Sequence, residues 1–220
     1  AGVDINTEQK NGYPVFASLA ECDVEADVVI DFASAKATDA LLAAMVEKKL
    51  PGVLCSTGLS EEQLEAVKEA STKVAILKSA NMSLGINTLF KVLKMVTPIL
   101  AEAGFDMEIV EKHHNRKLDA PSGTAAMIAD GIKEVRPDAQ CVYGRHGMKQ
   151  REKNEIGIHS LRMGNEPGMH EVVIATDFQT LRLTHNAESR AVFAEGALTA
   201  ARFIAGRQPG LYDMNSIVSL

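Results

Sequence analysis

The chain is organised around residues 108–125, which read E-I-V-E-K-H-H-N-R-K-L-D-A-P-S-G-T-A. Apolar and charged residues alternate at the start of this stretch, which predicts a β-strand, and the P-S-G-T segment before an alanine-rich run predicts a helix start. α/β enzymes often place their chemistry where a strand leads through a polar loop into a helix. Because free N–H groups at a helix N-terminus bind anions, and nearby cations strengthen that binding, the stretch predicts a carboxylate or phosphate site beside a proton donor.

Two histidines, an arginine, a lysine and an aspartate lie within seven residues of this stretch. Neighbouring residues of a strand point to opposite faces, so His113 and His114 can line one pocket only if the strand ends near them. Histidine suits acid–base chemistry near neutral pH, and Lys117 offers a permanent cation or a proton donor. The groups suited to binding a carboxylate come from the start of the helix, at Ser122, Gly123 and Thr124.

Plainer explanations compete with this interpretation. A basic loop is often only a solvated surface, Ser122 can be a simple helix cap, and Gly123 can serve helix packing. A histidine pair can also bind zinc, but no acidic or cysteine ligand lies at a useful spacing, so we expect no metal site.

The composition bounds the class of protein. At 220 residues the chain is long enough for one or two domains with a sizeable core. Its net charge of −6 argues against a nucleic-acid partner. Since no apolar run reaches membrane-spanning length and no signal peptide opens the chain, we expect a soluble, cytoplasmic protein with no membrane partner. The 3 cysteines follow no metal-binding pattern and are typical of free thiols in a reducing compartment.

The first residues, A-G-V-D, resemble the end of a strand, and no initiator methionine precedes them. We therefore expect further residues before Ala1 in the full protein. Asp4 stands where a dinucleotide-binding fold places the acid that binds ribose, one strand after its glycine-rich loop. That loop would then lie before Ala1, and an ordinary turn aspartate explains Asp4 equally well.

Residues 1–84 alternate short apolar runs with amphipathic helices. This predicts an α/β fold with a Rossmann-like, doubly wound parallel sheet whose first βα unit is missing. We expect strands at residues 27–32, 52–55 and 73–77, and helices at residues 35–48 and 60–70. Small or polar residues follow these strands, at 31–33, 55–58 and 79–81. Ligands bind outside the carboxyl ends of such strands, so together the three segments predict a ligand site, although turn chemistry explains each one alone.

From Gly85 the pattern changes and predicts a second domain, built on a mixed α+β sheet. We expect a long helix at residues 85–103 with a kink at Pro98, and shorter helices at 122–135 and 191–205. Strands are expected at residues 156–163, 169–178 and 180–185, with a polar loop at 143–154.

The motif E-x-H-H-x-x-K-x-D-A-P-S-G-T-A is similar to the signature of the dihydrodipicolinate reductase family, which acts in lysine biosynthesis through diaminopimelate. The resemblance covers essentially the whole chain, including S-T-G at 56–58, A-N-M-S-L-G at 80–85 and G-L-Y-D-M at 210–214. It implies an oxidoreductase that delivers hydride from NADH or NADPH to a cyclic imine dicarboxylate and then adds a proton. It also implies a homotetramer joined through the sheet of the substrate domain, with domain closure during catalysis.

The resemblance also assigns roles to residues and domains. His113 matches the catalytic histidine, Lys117 the proton donor and His114 a substrate contact. A substrate carboxylate would be held at the helix N-terminus by Gly123 and Thr124. The cofactor would be bound by Asp4, Cys55, Ser56, Thr57, Ser79, Ala80, Asn81 and Met82. By this assignment residues 1–84 and 194–220 form the dinucleotide-binding domain, and residues 85–193 form the substrate-binding and tetramerisation domain.

The residue after Asp4 departs from part of the family. Some members carry an arginine there, which pairs with the 2′-phosphate of NADPH, whereas this chain has Ile5. Because Asp4 would repel that phosphate and Ile5 cannot neutralise it, we predict a preference for NADH. Lys10 is the nearby cation that could weaken this preference.

Two other functions compete with the reductase interpretation. Another two-domain nicotinamide oxidoreductase, acting on an amino or keto acid, would share the fold but has no reason to carry the H-H-x-x-K motif. A dicarboxylate-binding module without a cofactor would need no glycine-rich loop. The sequence does not distinguish whether His113 or Lys117 gives the proton, or whether the substrate loses water on the enzyme.

Overall fold

The structure is a computed structural model that describes residues 1–8 and 11–218. The described chain folds into two compact units, one formed by Ala1–Met82 with residues 194–218, the other by Ser83–Phe193. The strands in chain order are β1 (Gly2–Val3), β2 (Val15–Phe16), β3 (Val29–Asp31), β4 (Gly52–Leu54), β5 (Ala75–Lys78), β6 (Asp106–His113), β7 (Gln140–Tyr143), β8 (Glu155–Arg162), β9 (Met169–Ala175), β10 (Thr180–Asn186) and β11 (Gly210–Tyr212). The α-helices are α1 (Thr38–Lys48), α2 (Glu61–Ser71), α3 (Leu84–Glu102), α4 (Gly123–Val135) and α5 (Ala191–Ile204).

The first unit contains a parallel sheet in the order β11-β5-β4-β3. The strands are short because the buried apolar runs are short, and Val53, Ile76 and Leu77 at their centre are fully buried. Helix α2 begins at a capping box in which the Ser60 hydroxyl accepts from the Gln63 amide, while the Gln63 side chain accepts from the Ser60 amide. The parallel α/β arrangement predicted from the alternation is thus confirmed.

Some parts of the first unit differ from the sequence prediction. Strand β1 pairs in parallel with β2 in a separate two-stranded sheet, rather than extending the sheet of β3. Residues 35–37 form a 3₁₀ turn before α1 instead of its first turn. Strands β2 and β11 were not predicted, because runs of 2 and 3 residues are too short to show a period.

The second unit is built on a mixed sheet in the order β10-β9-β6-β8-β7. Strands β6, β8 and β7 run parallel to one another, while β9 is antiparallel to β6 and β10 is antiparallel to β9. The predicted mixed α+β domain is therefore confirmed. The sequence prediction missed β7 at the edge of this sheet, where the run Q-C-V-Y mixes polar and apolar residues.

Helices α3 and α4 pack with one face of this sheet into a single apolar core. A Cβ placed on Gly131 would lie 2.5 Å from the Phe90 ring, so the glycine lets α3 and α4 approach closely. The buried side chains of this core include Ile86, Leu93, Met107, Ile109, Ile128, Ile132, Ile156, Val172 and Ile174. The core fixes the central strand β6 against α4, the two elements between which the predicted site lies.

Helix α3 is by length and composition long enough and apolar enough to cross a membrane, which differs from the sequence expectation that no run would reach this length. Its apolar character has another physical cause in this fold, since Ile86, Leu89 and Leu93 pack into the core between the sheet and α4. Core helices of globular domains meet the same length and composition test.

Candidate active site

The buried face of strand β6 is apolar at the start of the strand and polar at its carboxyl end. Met107 and Ile109 lie in the apolar core, whereas Glu111 and His113 continue the same face at the carboxyl end of the strand. The strand ends at His113, as the alternation argument required if both histidines are to serve one site. The chain then turns, with the Lys117 amide donating to the His114 carbonyl at 3.1 Å.

The Glu111 carboxylate is the most strongly held polar group of this region. It is fully buried and accepts two hydrogen bonds from the Arg162 guanidinium, each 2.8 Å long. It also accepts from the Ser122 amide at 3.0 Å and contacts His113 Nδ1 at 2.6 Å. Burial by itself raises the pKa of Glu111, but hydrogen bonds from Arg162 and other neighbours outweigh burial and lower it to about 2.

This geometry fixes the orientation and the tautomer of His113. An ionised carboxylate can only accept, so neutral His113 carries its proton on Nδ1 and presents Nε2 without a proton. Only 8 % of the residue surface is exposed. The Nε2 atom faces Gly168, where an added Cβ would lie 3.1 Å away. Gly168 therefore leaves the space that the ring occupies.

His170 on β9 contacts both the end of β6 and the residue that caps α4. Its ring packs edge-on against His113 with the centroids 5.2 Å apart, and its Nε2 lies 2.9 Å from the Ser122 hydroxyl oxygen. That hydroxyl also accepts from the Ala125 amide and so caps α4, as predicted for Ser122. Burial, followed by the neighbouring His113, lowers the pKa of His170 to about 4, so the ring is neutral at pH 7.

His114 follows directly after the strand and is held through its backbone. Its amide donates to the Glu166 carbonyl at 2.9 Å. Burial and the positive charges of Arg116 and its neighbours lower the pKa of His114, which favours a neutral imidazole. Its Nδ1 is buried and has no hydrogen-bond partner within residues 1–8 and 11–218. A buried nitrogen without a partner costs free energy, so it calls for a hydrogen-bonding group that the described residues do not supply.

Lys117 is paired with the Asp119 carboxylate in the loop between β6 and α4. Lys117 Nζ lies 2.8 Å from Asp119 Oδ1, and 22 % of the lysine side chain is exposed. The hydrogen bond from Lys117 is the main cause that lowers the pKa of Asp119. An added Cβ on Gly123 would have no described atom within 4 Å, so close helix packing is not the reason for a glycine at that position.

The predicted catalytic and substrate residues thus fall together at one place in the second unit. His113, His114 and Lys117 lie between the end of β6 and the start of α4, where Gly123 and Thr124 also lie. The Lys117 charge is close enough to lower the pKa of both His114 and His170. The cluster therefore combines ammonium, imidazole and helix N–H groups, which can bind an anion and transfer a proton.

The residues predicted to bind a cofactor follow strand ends in the first unit. Asp31, Leu54 and Lys78 are register neighbours at one edge of the parallel sheet, so the segments after β3, β4 and β5 start side by side. The Ser56 hydroxyl donates to Asp31 Oδ2 at 2.6 Å, and the Ser79 hydroxyl donates to the Asn81 carbonyl at 2.8 Å.

The remaining predicted cofactor residues have different environments. Thr57 and Ala80 are exposed, whereas burial, and secondarily the charge of Asp31, raises the pKa of the Cys55 thiol to about 12. The Met82 side chain is buried, and its carbonyl lies so close to α5 that a Cβ on Gly196 would clash with it. Met82 therefore packs the unit together and does not offer its side chain to a ligand.

Asp4 is hydrogen-bonded to strand β2 of the separate two-stranded sheet, not to this edge of the parallel sheet. Its amide donates to the Phe16 carbonyl at 3.0 Å, and its carboxylate accepts from the Asn6 amide at 2.8 Å. The Ile5 side chain beside it is 98 % exposed. Lys10, the cation considered beside Asp4, lies outside the described residues.

Family models match both parts of the chain: dihydrodipicolinate reductase, N-terminus, over residues 1–82 and dihydrodipicolinate reductase, C-terminus, over residues 85–218. The chain belongs to the dihydrodipicolinate reductase family. It is 50 % identical over 220 residues to the 4-hydroxy-tetrahydrodipicolinate reductase of Caldanaerobacter subterraneus, with 99 % of this chain and 86 % of that protein covered. It is 47 % identical to that of Clostridium novyi, over 219 residues and the same shares of the two chains.

A solved structure shares the fold of the chain. The dipicolinate-bound dihydrodipicolinate reductase from Paenisporosarcina sp. TG-14 superposes with a TM-score of 0.80 at 24 % sequence identity, covering 96 % of this chain and 82 % of that one. Members of the dihydrodipicolinate reductase family are oxidoreductases of lysine and diaminopimelate biosynthesis that use NADH or NADPH. The resemblance, enzyme class and pathway predicted from the motif are therefore confirmed.

Within this reductase fold, three residues of the site region were missed by the sequence analysis. Glu111 stood in the quoted motif without a role, although the spacing E-x-H on a strand places it on the same face as His113. Arg162 and His170 lie opposite His113 and Glu111 on the neighbouring strands. No sequence signal identified those two, because pairing between distant strands is set by the fold.

Proposed function

We propose that this chain reduces the 4-hydroxy-tetrahydrodipicolinate or dihydrodipicolinate ring to tetrahydrodipicolinate, with the chemistry centred on the end of β6. The observation that carries the proposal is the combination at that point of Lys117, the Gly123 amide and a histidine held by a buried carboxylate. A ring with two carboxylates needs cationic and N–H donors, and both are present. The Paenisporosarcina reductase, which shares this fold, is dipicolinate-bound, and this supports a ligand of the same class here.

The substrate carboxylate would be held at the start of α4. Gly123 and Thr124 are the first residues of that helix, whose N-terminus carries partial positive charge, and Lys117 adds a cationic side chain nearby in the chain. The open space beside Gly123 leaves room for the ligand. His114, which favours the neutral form and has an unpartnered Nδ1 in the described part of the chain, can hydrogen-bond a carboxylate or ring atom.

Reduction of the ring requires a proton after the hydride, and we assign this step to His113 and Lys117. Glu111 keeps the His113 ring in one orientation through Nδ1, and its negative charge stabilises positive charge on the imidazole. The Lys117 amino group is the second candidate donor, in the loop between β6 and α4. His113 and Lys117 would be the catalytic residues, while Glu111 and Arg162 act as positioning residues.

A nicotinamide dinucleotide fits the residues of the first unit. The segments after β4 and β5 offer small side chains, hydroxyls and exposed backbone at one sheet edge, which is how parallel sheets bind such cofactors. Cys55, Ser56 and Thr57, together with Ser79, Ala80 and Asn81, would hold the cofactor, whose reduced ring supplies the hydride. The Cys55 thiol, with its raised pKa, stays protonated and unreactive.

The preferred cofactor would be NADH. Asp4 carries a carboxylate that repels a 2′-phosphate, and the fully exposed Ile5 side chain beside it brings no neutralising charge. With purified full-length protein, we expect kcat/KM for NADH to exceed that for NADPH. A tenfold preference for NADPH would overturn this assignment.

In this proposal the first unit binds the dinucleotide and the second unit binds the substrate. Association into a homotetramer through the sheet of the second unit follows from the family resemblance alone, whereas the cytoplasmic location rests on the composition of the chain. Light scattering after size-exclusion chromatography measures the assembly, and a mass of one chain would contradict the tetramer.

The test of the function is a coupled assay with the upstream synthase, which makes the unstable substrate in place. We expect the full-length protein to oxidise NADH only when the synthase and its substrates are present. Simple 2-keto acids serve as the comparison, because reduction of these acids without reduction of the synthase product would favour an amino or keto acid dehydrogenase instead.

A further inference from the structure

His170 on β9 is a buried residue to which the proposed function gives no role. It lies opposite Glu111 of β6 in the strand register, and 5 % of its surface is exposed. Its Nε2 lies 2.9 Å from the Ser122 hydroxyl oxygen, and its ring packs edge-on against His113. Resting on the proposed function, we propose that His170 is a positioning residue, which holds the start of α4 in a fixed place relative to the His113 imidazole.

Two links join the end of β6 to the residue that caps α4. In the first, the Glu111 carboxylate contacts His113 Nδ1 at 2.6 Å and accepts from the Ser122 amide at 3.0 Å. In the second, His170 contacts the His113 ring and the Ser122 hydroxyl. Ser122 is thus held at its backbone and at its side chain, from two neighbouring strands. Because a single hydrogen bond allows rotation about its axis, the second link restricts the orientation of the helix start.

The Ser122 hydroxyl is the point at which the second link reaches the proposed anion site. It accepts from the Ala125 amide at 3.2 Å and so caps α4, whose first residues are Gly123 and Thr124. A hydroxyl has one proton and two lone pairs, so it can bond the Ala125 amide and His170 at the same time. A shift of Ser122 would therefore move the helix start, where the proposed function holds the substrate carboxylate.

The position of His170 needs a ring that packs, forms a hydrogen bond and carries no charge. Phenylalanine can pack against His113 but has no atom to bond the buried Ser122 hydroxyl. A positive charge here would oppose the positive charge that His113 carries in the proposed proton transfer. Burial, followed by the neighbouring His113, lowers the pKa of His170 to about 4, so the ring is neutral at pH 7. His170 thus supports the site without adding charge to it.

A second histidine of the same unit makes the same type of contact on another helix. His185 on β10 has its Nε2 3.0 Å from the Ser83 hydroxyl oxygen, and that hydroxyl accepts from the Ile86 amide and caps α3. Helix α3 carries none of the proposed substrate or proton-transfer residues. His185→Phe is therefore the matched control for His170→Phe.

The test measures kcat in the synthase-coupled assay and dipicolinate affinity by titration calorimetry, which also counts the active sites of the full-length protein. His170→Phe keeps a packing ring and removes the hydrogen bond, so kcat per active site should fall roughly tenfold and dipicolinate should bind roughly threefold more weakly. His170→Gln has an amide that can replace Nε2 as the partner of Ser122, so its kcat should stay within about threefold of wild type. His185→Phe should leave both quantities unchanged.

The outcomes separate this inference from the function beneath it. If His170→Phe lowers the unfolding temperature but keeps the wild-type kcat, His170 is only a structural residue and the inference fails alone. Equal losses of kcat in His170→Phe and His185→Phe, or in His170→Phe and His170→Gln, would also overturn it. If the wild type itself turns over no synthase product, the proposed function fails and the inference falls with it.

A double-mutant cycle measures the link through Ser122 directly. Ser122→Ala removes the hydroxyl, so adding His170→Phe to it should cost less than about twofold in kcat, against roughly tenfold in the wild-type background. A loss of roughly tenfold in both backgrounds would show that His170 does not act through Ser122. That result would overturn the proposal, even if both variants are less stable than the wild type.

Discussion

The end of β6 and the carboxyl edge of the parallel sheet are both strand ends, yet they hold their polar groups in opposite ways. At the end of β6 the Glu111 carboxylate is fully buried and bound by Arg162, Ser122 and His113. At the parallel edge the side chains are small, and Thr57 and Ala80 are exposed. Chemistry that needs a fixed proton requires the first kind of support, whereas cofactor binding can rely on backbone and small residues.

The largest effect in this comparison should follow from removing the Glu111 carboxylate. Glu111→Ala leaves Arg162 with an unpaired charge in a largely buried position, so the free energy of unfolding should fall by about 3–5 kcal/mol. Chemical denaturation measures this change. Glu65→Ala, which breaks an exposed Lys68 pair in the first unit, is the control and should cost less than about 1 kcal/mol. Equal losses in both variants would contradict the distinction between the two regions.

The fold could be predicted from the sequence wherever apolar runs were long enough to show a period. Strand β6 was predicted from the alternation of apolar and charged residues around Ile109. Helix α4 was predicted from the helix-start residues Pro121 and Ser122. Met82 and strand β2 show where prediction from local patterns fails. The burial of Met82 and the pairing of β2 depend on partners that are distant in sequence. The partners Arg162 and His170 were missed for the same reason.

The buried His170 should make stability depend on pH. Its folded pKa, about 4, lies below the value of 6.5 for a free histidine, so the unfolded chain binds the proton more readily. Stability from this group is present above pH 6.5 and is lost as the pH falls towards 4, by about 2 kcal/mol between pH 7.5 and 5. Denaturation of His170→Gln over that range should show a flatter slope, with the exposed His146→Gln as control. If the unfolding free energy of His170→Gln changes with pH as steeply as that of the wild type, His170 does not cause the pH dependence.

The tight contact of Gly168 with His113 predicts a smaller effect, on catalysis. In Gly168→Ala the new methyl group would lie 3.1 Å from Nε2 and push the ring aside, so we expect kcat/KM to fall roughly tenfold. Gly12→Ala adds the same methyl group in the first unit, where no described atom lies within 4 Å, and should be neutral. Loss of activity in Gly12→Ala but not in Gly168→Ala would contradict this prediction.

The smallest effect belongs to the exposed cofactor side. Ile5→Arg brings a cation next to Asp4, so the ratio of kcat/KM for NADPH to that for NADH should rise roughly fivefold, as for an exposed ion pair. Ile5→Gln adds polarity without charge and is the control. An unchanged ratio in Ile5→Arg would show that Asp4 and Ile5 lie away from the adenosine ribose.

The central claim is that the imidazole and ammonium at the end of β6 transfer the proton and hold the ring. The most direct measurement is the turnover of His113→Ala and Lys117→Ala in the synthase-coupled assay, with His146→Ala as a matched control. Each site variant should lose roughly 10² or more in kcat, as for a lost acid–base group, while the control keeps its rate. Turnover within threefold of wild type in both site variants would contradict the account.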